Sequence, residues 1–211
     1  MNLPDQAPAS HKNVINTNIR SDFALITNWV SSNAKVLDLG CGDGGLLTHL
    51  HHVHTIRGYG IEKDDVNWLA AMQNGVNVIQ MDLEDGLSGF EDHSFDTVIL
   101  SQTLQAMHNT ERIVQEMLRV GREAIVTFPN FGYWRNRLQI IAGQMPVSKT
   151  LPYEWYNTPN VHLCTIHDFD DFCKNHNITV IERKVITDTN DVRFMPNWFG
   201  NLAMYRLRSA K

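Results

Sequence analysis

"VLDLGCGDGG", residues 36–45, decides the fold of this 211-residue chain. A short apolar run ends in a cluster of glycines, and Leu46, Leu47 and Leu50 then follow at helical spacing. That order reads as buried strand, tight turn, helix. Gly40, Gly42 and Gly45 satisfy G-x-G-x-x-G. Glycines there let the backbone approach a ligand, and the helix start offers free N–H groups.

Outward from this turn, strand and helix alternate. "IRGYGIE", "VNVIQMD", "FDTVILS" and "EAIVTFP" read as further strands, the last stopped by Pro129. Asp64 is placed to cap one intervening helix and Gly75 to end it. Ile113, Met117 and Val120 stripe the helix after Thr110. Ahead of the first strand, Ile19, Phe23, Ile26 and Val30 mark one face of another helix. Alternation from residue 35 to 129 implies a parallel sheet with helices on both faces. The last third departs from it. Residues 130–165 interrupt the pattern. A helix after Thr165 then carries Phe169, Phe172, Cys173 and His176, and "ITVIERKVI" and "LAMYRLRS" read as an antiparallel pair. We expect an arm over residues 1–13 and one domain over 14–208, with 130–165 inserted after strand five.

Composition agrees. Hydrophobic residues make up 43% and charged residues 19% of the chain, an ordinary globular balance. The net charge of −5 argues against broad nucleic-acid binding. Cys41, Cys164 and Cys173 show no CxxC spacing, so neither a disulfide framework nor a zinc site is expected. "MNLPDQAPAS" does not read as a signal peptide. No apolar run nears the ~20 residues of a spanning helix. The reading is a cytoplasmic protein without membrane partners.

Three acids narrow the ligand. Asp38 lies two residues before Gly40, where a carboxylate repels a pyrophosphate and suits a cationic amino group. Glu62 ends the second strand, placed to accept hydrogen bonds from ribose hydroxyls. Asp82 ends the third, placed for an adenine amino group, with Leu83 beside it. S-adenosylmethionine fits, having an ammonium, a sulfonium and no phosphate. A nicotinamide dinucleotide is the weaker alternative, opposed by Asp38 and Asp82.

"VLDLGCGDG", "GYGIE", "QMDLEDGL" and "SFDTVILSQTLQAM" resemble class I S-adenosylmethionine-dependent methyltransferases. The resemblance implies a Rossmann-like sheet of seven strands, the last antiparallel. It implies that Asp38, Gly40, Cys41 and Gly42 surround the methionine part of the cofactor (or of S-adenosylhomocysteine). Glu62 would hold the ribose, Asp82 and Leu83 the adenine, and Ser101 and Gln102 would lie at the mouth of strand four, near the reacting methyl. The tetrapeptide after strand four is "SQTL", not the DPPY type of amino-group methylases. His108 is the one weak candidate for a catalytic base, since methyl transfer needs a base only if the acceptor must lose a proton. His49, His51, His52 and His54 read as a solvated face, and no metal site is expected.

The insertion carries the remaining signal. Trp134, Leu138 and Ile141 stripe a short helix, expected to lay its apolar side on the core, with Arg135 off the stripe. "LPYEWYNTPNVHL", residues 151–163, then holds Tyr153, Trp155, Tyr156 and His162 in a loop expected to cover or flank the ligand crevice. These aromatics suit a lid, a substrate contact or a protein-docking surface. The run from "FPNFGYWRNRLQIIAGQMP" to "TIHDFDDFC" is similar to the methionine biosynthesis protein MetW family, over roughly residues 18–207. One departure is Tyr133, where the family pattern favours histidine. The resemblance implies a partnership with a homoserine O-acetyl- or O-succinyltransferase, with Trp134, Arg135 and the loop aromatics as candidate contacts. The alternative is a methyltransferase acting on a small metabolite.

Overall fold

The computed structural model describes residues 20–210. The expected arm and Ile19 lie outside the described residues. Helix α1 (Ser21–Trp29) leads into β1 (Lys35–Leu39), α2 (Gly45–His54), β2 (Arg57–Glu62), α3 (Asp65–Gln73), β3 (Asn77–Gln80), β4 (Phe95–Ser101), α4 (Thr110–Val120) and β5 (Gly121–Pro129). Then come α5 (Trp134–Ile141), α6 (Ile166–Asn175), β6 (Ile178–Thr187), β7 (Asn190–Asp191), α7 (Pro196–Phe199) and β8 (Leu202–Ser209). The strands form one sheet in the order β3-β2-β1-β4-β5-β8-β6-β7. β1 to β5 run parallel, and β8 inserts antiparallel between β5 and β6.

This is the expected α/β architecture with one strand more than the seven anticipated. The extra strand is the two-residue β7, which folds back on the end of β6. Two residues leave no alternating pattern to read.

Neighbouring residues of the central strands are buried on opposite faces. Leu37, Leu100 and Val126 join a cluster with Met117 of α4 and Phe169 of α6. Val36, Ile99 and Ile125 join another with Ile26 of α1 and Leu50 of α2. A strand covered on both sides has no polar face to show, which accounts for the unbroken apolar runs. Helix ends follow the expected chemistry. The Asp64 side chain accepts from the Val66 and Asn67 N–H groups. Thr165 and Asp168 form a reciprocal capping box.

The inserted helix corrects one expectation. Leu138 and Ile141 of α5 are 52% and 80% exposed, so the apolar stripe faces outward. The buried residue is Asn136, whose Nδ2 donates to the Asn130 and Phe131 carbonyls. The Asn130 carbonyl also accepts from the Tyr133 N–H, so the Asn136 amide adds a second tie between α5 and the end of β5 and turns that side of the helix inward.

Register places the site. Asp38 pairs with Gly60 and with Ile99, Glu62 with Gln80, and Ser101 with Thr127. Paired residues point to the same side, and so do residues two apart. Asp38, Glu62, Ser101 and Thr127 therefore share the face covered by α1 and α2, at the carboxyl ends of their strands.

Candidate functional site

The turn after β1 is built on backbone that side chains would obstruct. Gly40 has φ +69°, and a Cβ there would lie 2.9 Å from Thr103. The Gly40 and Cys41 N–H groups both donate to the Ile61 carbonyl. Gly42, at φ +56°, has open space around its Cβ direction, and its N–H donates to Glu62 Oε2 at 2.9 Å. Gly40→Ala is expected to cost about 1–3 kcal/mol from left-handed strain and the Thr103 clash. A melting curve within 1 °C of wild type would show that the turn tolerates a side chain.

Glu62 does more than sequence reasoning assigned to it. Besides Gly42, it accepts from the Lys63 and Asp64 N–H groups, each at 2.9 Å. It thus ties the glycine turn to the end of β2, with one lone-pair position left. Asp82 accepts from the Glu84 N–H at 3.0 Å and meets Lys63 Nζ at 3.4 Å. The Glu84 hydrogen bond, with Lys63 behind it, holds this carboxyl below the usual range. Gly40, Glu62, Asp82, Leu83 and His108 border a cavity of about 330 Å³. A larger one, about 800 Å³, lies by Arg119, His176 and Arg208, far from the glycine turn. Its arginines Arg119 and Arg208 are already paired, with Glu116 and Asp92 and with Glu123. The smaller cavity, bordered by the glycine turn and two of the strand-end acids, is the candidate site.

Asp38 lies on β1, two residues before the Gly40 that borders this cavity, and its carboxyl is buried. It is 2% exposed, and its Oδ1 has no hydrogen-bond partner among the described residues. Burial pushes its pKa up to about 7, against the pull of Arg20 and with further push from Asp22 and Glu62. A buried unpaired carboxylate oxygen is costly, so the site asks for a donor, preferably a cation. Around Ser101 and Gln102 runs a network whose Arg20 and Asp22 the sequence reading missed. Arg20 Nη2 donates to Asp22 at 2.5 Å and to Ser101 Oγ at 2.7 Å. Ser101 Oγ and Gln102 Nε2 both donate to Asp22 Oδ2. Gln102, at φ +55°, donates its N–H to Thr127. The available signal was Asp22, an acid four residues before Ile26 on the buried side of α1.

The remaining candidates are dispersed. The Cys41 thiol turns into the core, where a Cβ on Gly60 would meet its sulfur at 2.5 Å. Burial raises that thiol to about 12, too high for a nucleophile at neutral pH. His108 is exposed at the cavity rim, its N–H donating to Glu84. The histidines of α2 are less free than expected: the His51 ring meets the Ile56 carbonyl and the His54 ring the Thr27 carbonyl, each at 3.0 Å. Among the described residues there is no metal-holding group of three His, Cys, Asp or Glu, and no helix is long and apolar enough to cross a membrane.

The aromatic loop has a fixed base and an open tip. The Val161 and His162 N–H groups donate to the Gln105 carbonyl, just beyond the end of β4. Pro159 and Val161 line the cavity. Trp155 and Tyr156, 71% and 70% exposed, meet edge to face at the tip. Tyr153 is half exposed, and the His162 ring approaches the His108 carbonyl. Trp134 is half-buried with Arg135 stacked over it at 5.3 Å.

The strand order, the glycine turn and the acids on successive strand ends define a methyltransferase fold of the Rossmann-like class. Solved structures agree. An S-adenosylmethionine-dependent methyltransferase from Mesorhizobium loti superposes with a TM-score of 0.66 at 14% identity, covering 89% of this chain and 97% of that one. The [4+2]-cyclase SpnF superposes with a TM-score of 0.65 at 18% identity, covering 89% and 80%. Residues 20–207 match the family model described as methionine biosynthesis protein MetW. The chain belongs to that family. It is 39% identical over 179 residues to the bifunctional methionine biosynthesis protein MetXA/MetW of Rhodopirellula baltica, a match covering 80% of this chain and 29% of that protein. The chain thus spans under a third of that relative.

Proposed function

We propose that this protein binds S-adenosylmethionine or S-adenosylhomocysteine and acts as an accessory or regulatory partner of a homoserine O-acyltransferase, acetyl or succinyl. The observation that carries the ligand half is the buried Asp38 carboxyl with an unpartnered oxygen, two residues before the Gly40 turn, with Glu62 and Asp82 on the cavity wall. The residues present fit that ligand. Asp38 would take the ammonium, Glu62 the ribose, and Asp82 with Leu83 the adenine, over the backbone of Gly40, Cys41 and Gly42. Ser101 stands at the mouth of β4. The bound molecule would bring a methyl sulfonium. This chain's own part is to hold it and keep water from Asp38.

The partner half is supported by two facts. A relative carries both names, MetXA and MetW, in one polypeptide. The loop tip leaves Trp155 and Tyr156 in solvent, packed edge to face, and α5 leaves Leu138 and Ile141 exposed, apolar side chains suited to docking a partner. The loop's base also forms part of the cavity wall, so filling the cavity can bias the loop if its two arrangements bind ligand unequally. A cytoplasmic setting goes with this reading.

Calorimetry on the pure protein tests the first half, with micromolar binding of either nucleoside expected. Co-purification with the acyltransferase, and its turnover with and without this chain, tests the second. Trp155→Ser combined with Tyr156→Ser is expected to cut co-purification at least tenfold without lowering the melting temperature. An acyltransferase indifferent to this chain at every ratio would end the partnership. A second reading, methyl transfer to a small metabolite, is favoured by His108 at the cavity rim. A labelled product from cell extract would support it, and its loss in His108→Ala would assign the base.

A further inference from the structure

A third cavity, of about 550 Å³, is formed by residues of α5, α6, α7 and β6, among them Arg137, Ile166, Asp170, Arg183, Asn197 and Trp198. None of its lining residues borders the cavity at the glycine turn. Its size is that of a small-molecule pocket. The Asn130 amide fixes its walls, bonding Ile166 of α6, Asn197 of α7 and Gly132 at once.

Arg137 borders this cavity as a cation without a counter-ion. It is half-buried, and no described acid lies within ion-pair reach of it. Arg119 and Arg206, the other half-buried arginines among the described residues, are both paired with carboxylates. Asp170, the acid on the same wall, is taken by Arg183 and by the Tyr205 hydroxyl, the latter at 2.8 Å. Two arginines against one aspartate leave this wall with a surplus of positive charge, in a chain of net charge −5. His167, exposed on the same wall, adds to the surplus only when protonated. A cation drawn partly out of water is stabilised by an anion beside it.

The guanidinium is also held still. Its Nε donates to the Gly132 carbonyl at 2.6 Å, and the group lies over the Trp198 ring at 4.8 Å. Nη1 and Nη2 have no partner among the described residues, so a flat pair of donors is left over. Such a fork matches the two oxygens of a carboxylate. Because it is already oriented, little side-chain freedom is lost when it binds. Asn197 turns its Oδ1 to the Ile166 N–H at 3.2 Å, which leaves its amide nitrogen as a further donor. Ile166, Met195, Pro196 and Trp198 make the rest of the lining apolar.

We propose that this cavity is a second binding site, for a small monocarboxylic acid with an aryl or branched aliphatic body. Arg137 takes the carboxylate through Nη1 and Nη2, and Ile166, Met195, Pro196 and Trp198 hold the body. Inorganic phosphate is a poorer match, because it has no apolar part and Arg183 is already paired. Arg137 is the binding residue, and Gly132 and Asn130 position it. The site needs nothing from the nucleoside reading, since the two cavities share no residue.

Phenylacetate and 4-methylpentanoate are the probes, each set against its own uncharged amide, with inorganic phosphate as the anion that has no body. They are titrated into the whole 211-residue chain while the indole N–H signals of its five tryptophans are followed by NMR. Trp198→Phe identifies the Trp198 signal. At least one acid should move that signal and bind at least about 10-fold more tightly than its amide and than phosphate, the margin of a charge-assisted hydrogen-bond pair over a neutral one. Arg137→Gln should lose about 10-fold for the acid and leave the amide unchanged. Met195→Glu, at a position 52% exposed and remote from the Arg137 anchors in sequence, sets a like charge against the ligand. It should weaken the acid at least about 5-fold and serves if Arg137→Gln does not fold. The proposal is overturned by a Trp198 signal unmoved by either acid at about 10 mM, or by an amide or phosphate that binds as well as the acids. Unchanged acid affinity in folded Arg137→Gln, or in Met195→Glu, overturns it too.

Discussion

Asp38→Asn should weaken S-adenosylmethionine binding by at least 100-fold and, at pH 8, make the free protein more stable. Both effects come from one cause. Taking Asp38 from an ordinary 3.8 to about 7 corresponds to up to about 4 kcal/mol against the ionised form in the free protein. The folded state holds the proton more tightly than the unfolded chain. Stability is therefore favoured at low pH and lost as the pH rises from 3.8 through about 7. The neutral amide escapes that loss. Its advantage should reach roughly 5–10 °C in melting temperature at pH 8 and shrink to about a third of that at pH 5. A cationic ligand works in the other direction, because its ammonium favours the ionised carboxyl. Binding should release a proton below pH 7, and affinity should climb towards neutral pH. Calorimetry in two buffers of different ionisation enthalpy reads this directly. An Asp38→Asn protein that melts lower than wild type at pH 8, or that binds as well, contradicts the account.

The second large effect lies away from the ligand. Asn130 is 1% exposed at the end of β5. Its Nδ2 donates to the Asn197 and Gly200 carbonyls, at 3.2 and 2.8 Å. Its Oδ1 accepts from the Gly132 and Ile166 N–H groups, at 3.0 and 3.3 Å. One amide thus joins the β5 end, α6 and α7. Asn130→Ala would leave several backbone groups buried and unpaired, at about 1–3 kcal/mol for each not rescued by water. We expect a loss of about 3–5 kcal/mol and a melting temperature lower by roughly 10 °C. A change under 2 °C would show that the knot is dispensable. This also reassigns part of the "FPNFGYWRN" stretch. Asn130, Gly132 and Asn136 hold the start of the insertion in place, so its unusual composition is in part architectural.

The parallel half of the sheet was legible because each strand is buried on both faces and each turn carries its own chemistry. Residues 36–45 alone specify strand, turn and helix. Asp64 and Thr165 announce their helices through side chains that have one obvious job. The acids at the strand ends were legible for a similar reason, since register follows from the strands. Arg20 and Asp22 were not. They act across 79 to 81 residues of separation, and nothing local marks an arginine at a helix start as a partner of strand four. α5 was misread because periodicity gives the apolar side of a helix but not what it faces. There a buried amide turns inward while two of the three apolar side chains of the stripe, Leu138 and Ile141, stay in solvent.

The position of β8 has a consequence for how the chain is made. The strand drawn from residues 202–209 sits in the interior of the sheet, flanked by β5 and β6. A ribosome delivers its neighbours first and the wedge between them last. Until it arrives, both stand with bare hydrogen-bonding edges, an interval in which a nascent chain is open to wrong pairing and to chaperone capture.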